Sequence, residues 1–307
     1  HVRCSYCRHS FNLGREYLAQ ALAEAAEKRQ KYHGIECPNC RKLISADEPR
    51  CPYCGIGRPA SMSKRLLGTI GLSDPDRLIR SVIYVNVGMY LISLLFSQSR
   101  IGLSMNPLTF LSPGDNSLFL LGMTGTIPID RFGRWWSLLA ANYLHGGILH
   151  IFFNMAAFRQ LAFLTVREYG TYRMVVIYTA SGTLGFLVSY LAGIPYTIGA
   201  SAAVCGLIGA MLYYGKSRGG VYGHTIYRQV GSWAIGLVVF GLLIPGINNW
   251  GHVGGGVAGA LIGYLMGYRE RTGERSMHRL LAGVCTVMTV AVLLYAVVSA
   301  VIYRFAG

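Results

Sequence analysis

Between Tyr169 and Arg269 the chain contains neither aspartate nor glutamate. That absence removes any neighbouring carboxylate that could complete a Ser-His-Asp triad, so a serine and a histidine working there must act as a dyad. Charge is scarce overall, at 13% of residues, and it is lopsided, with 28 Lys and Arg against 13 Asp and Glu. With 52% hydrophobic residues and a mean hydropathy of +0.39 the chain is too apolar for an ordinary soluble domain. Its 39 glycines exclude a simple coiled coil. No H-E-x-x-H is present, which excludes a zinc-protease helix of that type. A small-solute transporter would want a membrane-embedded charge or an inverted repeat, and neither is found.

What remains is a membrane body on a soluble head. Apolar runs able to cross a hydrocarbon core of ~30 Å occur near 81–97, 145–165, 172–193, 199–215, 230–247, 251–268 and 280–303. The run at 251–268 is short and glycine-laden, but small residues are what touching membrane helices require. Arg159, Arg167, Arg173, Lys216, Arg218, Arg228, Arg269, Arg271, Arg275 and Arg279 flank one side of this bundle. Arg100, Arg131, Arg134 and Arg304 flank the other. The positive-inside rule then puts the N-terminal head in the cytoplasm and the last residues outside. The positive net charge is accounted for by this orientation, and no nucleic-acid partner is expected.

The head holds three C-x-x-C pairs, Cys4/Cys7, Cys37/Cys40 and Cys51/Cys54. Ten residues separate the second pair from the third, a zinc-ribbon spacing in which two turns offer four thiolates to one tetrahedral ion. Cys4 and Cys7 could instead join Cys37 and Cys40 across an amphipathic helix at 15–32, and His9 and His33 are spare ligands. A reducing compartment argues against disulfides. The head is expected to hold structural zinc, to fold as a small domain and to offer a surface to a protein partner. The expected organisation is a cytoplasmic zinc-ribbon-like domain at 1–62, a linker at 63–80, a six-helix core at 81–268, and a basic loop with a seventh helix at 269–307.

Three polar groups punctuate the apolar body. Ser201 lies in Gly199-Ala200-Ser201-Ala202 after a turn-like Ile194-Pro195-Tyr196-Thr197, at a helix start where unpaired N–H groups can hold an oxyanion. His252 follows Gly251 and heads a ridge of Gly255, Gly259, Gly263 and Gly267, whose four-residue period lets another helix approach closely. Ser201, Cys205 and Gly209 repeat that period, so the two faces should meet and bring Ser201 to His252. His150 and Asn154 share one helix face and can both donate hydrogen bonds. The bland alternatives are small-residue packing for the serine motif and helix-tying polar contacts for His150, Asn154 and His252. The long segment 98–137, with Trp135 and Trp136, is either an interfacial anchor or an embedded loop that shapes the entry to a site.

Taken together, Gly-Ala-Ser-Ala, His145 with His150 and Asn154, Gly251-His252 with its glycine ridge, and the tryptophan-bearing loop resemble the rhomboid family of intramembrane serine proteases. The resemblance covers about 80–303 in chain order, and the seventh span resembles the family's six-plus-one variety. It implies an all-α polytopic membrane protein with a rhomboid-like six-helix core. It also implies Ser201 as nucleophile and His252 as base and then acid. His150, Asn154 and the Ser201 backbone would form the oxyanion hole, with no cofactor for catalysis. The substrates implied are single-pass or other transmembrane proteins held in the lipid bilayer, and the location implied is a bacterial plasma membrane. Two departures stand out: Arg134 precedes the tryptophans, and Cys205 stands one turn after Ser201 where bacterial relatives often carry tyrosine. The competing reading is a catalytically silent rhomboid-like adaptor that binds membrane segments.

Overall fold

The computed structural model describes residues 2–3, 10–11, 34–37, 42–53, 55–61, 74–97, 102–103, 110–244 and 246–306. It divides into two units, His1–Ser73 and Asp74–Gly307.

In the first unit β1 (Val2–Arg3) pairs antiparallel with β2 (Ser10–Phe11), and β3 (Gly34–Glu36) with β4 (Leu43–Ser45). Cys37, Ile44 and Cys51 form one buried cluster, with Ile35 and Ile56 packed on it. Backbone hydrogen bonds hold both cysteines: the Cys37 N–H donates to Lys42 O at 3.0 Å and the Gly55 N–H to Cys51 O at 2.9 Å. Gly55 sits at φ +73°, the left-handed region that suits glycine. Cys4, Cys7, Cys40 and Cys54, the helix expected at 15–32, and His9 and His33 all lie outside the described residues. Among the described residues no three His, Cys, Asp or Glu side chains gather as a metal site. Two of the four thiols in the 37–54 pattern, those of Cys37 and Cys51, share one buried cluster.

The second unit is mostly helical. Its long helices are α1 (Pro75–Phe96), α4 (Ile148–Tyr169), α5 (Thr171–Leu191), α6 (Ser201–Arg218), α7 (Gly220–Leu243), α8 (Asn249–Met266) and α9 (Ser276–Ala306). Between α1 and α4 lie the hairpin β5 (Gly102–Leu103) and β6 (Phe110–Ser112), then α2 (Asp115–Leu121) and α3 (Ser137–Ala140). Each apolar run expected to span contains one of these long helices. Asp74 starts α1 by accepting the N–H groups of Asp76 and Arg77 at 3.1 and 3.3 Å, with Pro75 in the first turn. Among the described residues α1, α4, α5, α7 and α9 are long and apolar enough to cross a membrane. The expectation of seven spans differs at α6 and α8, each of 18 residues. Helix α6 is mostly buried at the centre of the bundle, whereas α8 buries a face of glycine and alanine and exposes Trp250, Val253, Val257, Leu261 and Leu265.

Helix α8 packs most extensively on α6 and then on α5. A Cβ added at Gly255 would overlap the Ala202 carbonyl, one at Gly259 the Gly206 carbonyl, and one at Gly209 the Gly256 carbonyl. Backbone meets backbone across this crossing, so dispersion contact replaces the absent large side chains. The α6 face at the contact is Ala202, Gly206 and Gly209, rotated slightly from the expected Ser201–Cys205–Gly209 row, with which it shares Gly209. That rotation leaves Ser201 beside the crossing and half-exposed, where it can face a cavity.

At the opposite end the loop from α8 to α9 is tied down by charge. The buried Arg173 guanidinium donates to Tyr169 O at 3.0 Å, Thr272 O at 2.9 Å and Gly273 O at 3.0 Å. Glu274 accepts the backbone N–H groups of Tyr172 and Arg173 at 2.8 and 3.3 Å. Burial nevertheless holds its carboxyl above the ordinary range.

Candidate active site

Ser201 is the first residue of α6, and the chain reaches it through Gly199 at φ +125°. The Gly199 N–H donates to Ala141 O at 2.9 Å, fixing the approach. Because an N-terminal helical residue has no carbonyl four positions earlier in its own helix, the Ser201 N–H is left without an intrahelical partner. His252 lies in the first turn of α8, whose start is capped by Asn248. The two side chains meet: His252 Nε2 is 2.8 Å from Ser201 Oγ, a hydrogen bond between residues 51 apart in sequence.

His150 lies in the first turn of α4. The Gly146 N–H donates to its Nδ1 at 3.3 Å. A ring nitrogen that accepts is unprotonated, so the neutral ring carries its hydrogen on Nε2. That Nε2 faces Gly199, where an added Cβ would stand only 2.8 Å away. Asn154, one turn further, is buried and donates Nδ2 to His150 O at 2.9 Å. One of its two amide hydrogens is thereby used within its own helix. His145 is fully buried, with its ring centroid 5.1 Å from that of His150 in an edge-to-face arrangement.

Ser201, His252, His150 and Asn154 all line one cavity of about 550 Å³. Apolar residues from α4, α5 and α7 (Phe153, Phe186, Leu237 and Phe240) form much of its wall, while Ser112, Asp115 and Met123 from the segment before α3 reach its rim. An extended peptide could lie in such a space with its carbonyl among donors.

The described stretch at 110–137 is held by several contacts. The Arg134 guanidinium lies over Phe119 at 4.6 Å and Trp136 at 5.1 Å and donates to Phe119 O. Ser137 Oγ donates to Thr124 Oγ1 at 2.8 Å, and Thr124 forms a two-way backbone bridge with Thr197 at 2.7 and 3.1 Å. Sequence reasoning missed Asn248. Its Oδ1 accepts the Gly251 N–H at 3.0 Å, and its Nδ2 donates to Ser189 Oγ at 2.7 Å and Thr197 Oγ1 at 2.9 Å. The available signal was an asparagine directly before a helix start, the N-cap preference.

Residues 133–269 match the rhomboid domain family. The chain is 37% identical over 124 residues to rhomboid protease GluP of Bacillus subtilis, covering 40% of this chain and 24% of that protein. It is 33% identical over 152 residues to RHOMBOID-like protein 4 of Arabidopsis thaliana, covering 49% and 38% of the two chains. It is also 31% identical over 156 residues to the inactive RHOMBOID-like protein 8 of the same plant, covering 50% and 44%. The match thus spans less than half the length of each of these relatives.

Proposed function

This is an integral membrane protein that carries a rhomboid domain, and from that premise we propose that it is an intramembrane serine endopeptidase acting on transmembrane segments of other proteins. The observation that carries the reading is the 2.8 Å bond between His252 Nε2 and Ser201 Oγ inside a cavity. His252 Nε2 takes the hydroxyl proton as Ser201 Oγ forms its bond to the substrate carbonyl carbon. The oxyanion is held by the Ser201 N–H, the His150 Nε2–H and the free Asn154 amide hydrogen. Collapse breaks the C–N bond, and the His252 imidazolium gives its proton to the departing amine. Water, activated by the same histidine, then releases the acyl group. No cofactor enters this chemistry. A substrate helix must unwind locally first, since its carbonyls are otherwise engaged in its own hydrogen bonds. Small, helix-weakening residues near the cut are the expected preference.

The basic segments at 159–173, 216–228 and 269–279 support a topology with the N-terminal domain in the cytoplasm and the C-terminus outside. The cysteine spacing and the shared burial of Cys37 and Cys51 support structural zinc in that domain.

The experiment is labelling of the full chain with a serine-directed fluorophosphonate, together with cleavage of a reporter transmembrane helix. Ser201→Ala and His252→Ala should each abolish both signals while the protein stays folded. Equal cleavage by either variant would remove the dyad. The resemblance to an inactive relative supports a second reading, a silent adaptor that only binds membrane segments. Helix binding by the unaltered chain with neither labelling nor cleavage would favour it.

A further inference from the structure

We propose that Asn248 is the positioning residue for His252, supplying through the start of α8 the orientation that a carboxylate supplies in a triad. The inference rests on the dyad reading above. Among the described residues nothing hydrogen-bonds to His252 Nδ1, so Ser201 is the ring's one bonded neighbour. What fixes the ring is therefore the backbone that carries it. The His252 N–H donates to Asn248 O at 3.2 Å, and the Gly251 N–H to Asn248 Oδ1 at 3.0 Å. Those two bonds set the pitch of the first turn of α8.

The same side chain joins that turn to the serine's side of the cavity. Its two amide hydrogens go to Ser189 Oγ on α5 at 2.7 Å and Thr197 Oγ1 at 2.9 Å. Thr197 precedes Ser201 by four residues and is held by its backbone bridge to Thr124. One amide thus has its oxygen and both hydrogens engaged, spanning the segments that carry nucleophile and base. Ser189 is fully buried and Thr197 nearly so, which keeps water from replacing these bonds. The neighbouring Asn249 acts elsewhere, since its Nδ2 donates to Gly241 O at 2.9 Å and ties α8 to α7. Gly251, Gly254 and Gly255 bring this end of α8 directly against Ser189, Val188 and Ala202, so close packing and the Asn248 bonds act on the same turn. A slip of about 1 Å at a reacting group costs on the order of 10²-fold in rate.

The test uses the full chain in micelles, with two readouts: steady-state cleavage of a reporter helix, and 15N shifts of the His252 ring nitrogens assigned against His252→Gln. Asn248→Ala should lower kcat by about 10²-fold with KM unchanged, and move the Nε2 signal away from its hydrogen-bonded position. Asn248→Asp keeps the cap acceptor and loses both donors, so kcat should remain low. Ser189→Ala combined with Thr197→Val removes the acceptors without touching α8 and should give the same kcat loss. This pair keeps the test readable if Asn248→Ala does not fold. Unchanged kcat and unchanged ring shifts in the double variant would overturn the proposal, as would a loss expressed in KM alone. If the unaltered chain neither cleaves nor labels, yet its His252 signal responds to these substitutions, the protease reading falls and the positioning role stands.

Discussion

His150 Nε2 lies 2.8 Å from where a Cβ of Gly199 would be, so the ring of this cavity-lining histidine packs directly on the glycine two residues before Ser201. Gly199 is constrained twice, by this contact and by its φ of +125°. Gly193, six residues earlier, shares a positive φ of +79° but has nothing within 4 Å of an added Cβ.

Comparing the two glycines separates backbone strain from site geometry. Gly199→Ala should displace His150 and lower the cleavage rate by about 10²-fold. Gly193→Ala should cost about 1–2 kcal/mol of stability through its left-handed backbone and leave the rate unchanged. Cleavage rates and thermal unfolding of both variants check this; equal rates would separate His150 from the reaction.

The two side-chain donors should be unequal. Gly146 keeps the hydrogen of His150 on Nε2, whereas Asn154 has already given one hydrogen to His150 O. His150→Ala should therefore cost ~10²–10³ in kcat, the range for a lost oxyanion donor. Asn154→Ala should cost less. Single-turnover cleavage by both variants measures the difference, and a larger loss at Asn154 would reverse the assignment.

Metal content tests the N-terminal domain. Metal analysis of the purified full chain should find at least one zinc, lost on Cys37→Ser or Cys51→Ser. Fluorophosphonate labelling of Ser201 should persist after chelation, since none of the steps drawn for the reaction uses a metal. A folded, metal-free domain would end the zinc reading.

The position of the cut tests topology and site together. Ser201, His252 and His150 all lie in the first turns of α6, α8 and α4, at the end of the bundle away from the arginine-rich loops. Product mass spectrometry should place the cut in the outer part of a substrate's membrane segment. Cuts in the cytoplasmic half would mean that either the orientation or the residue assignment is wrong.

Much of the architecture was readable from residue pattern alone. Apolar runs marked the helices because a membrane span needs length and low polarity, both local properties. The absence of acid from Tyr169 to Arg269 pointed to a dyad, and because Asp115 lines the same cavity it took the structure to show that, among the described residues, no carboxylate bonds His252. The glycine period of α8 announced a close helix crossing. Ser201, His252, His150 and Asn154 stood out because polar side chains in an apolar stretch are few. Tertiary structure alone decided which atoms meet. Whether Ala202 and Gly206 or Ser201 and Cys205 sit at the centre of the contact with α8 depends on a rotation smaller than the ~100° per residue of a helix, which the small-residue period does not resolve. The role of Asn248 depends on acceptors 51 and 59 residues away, brought together by packing of α5, α6 and α8. Periodicity reports what a segment can bury; it is silent about hydrogen bonds between segments, and those set the geometry at Ser201 and His252.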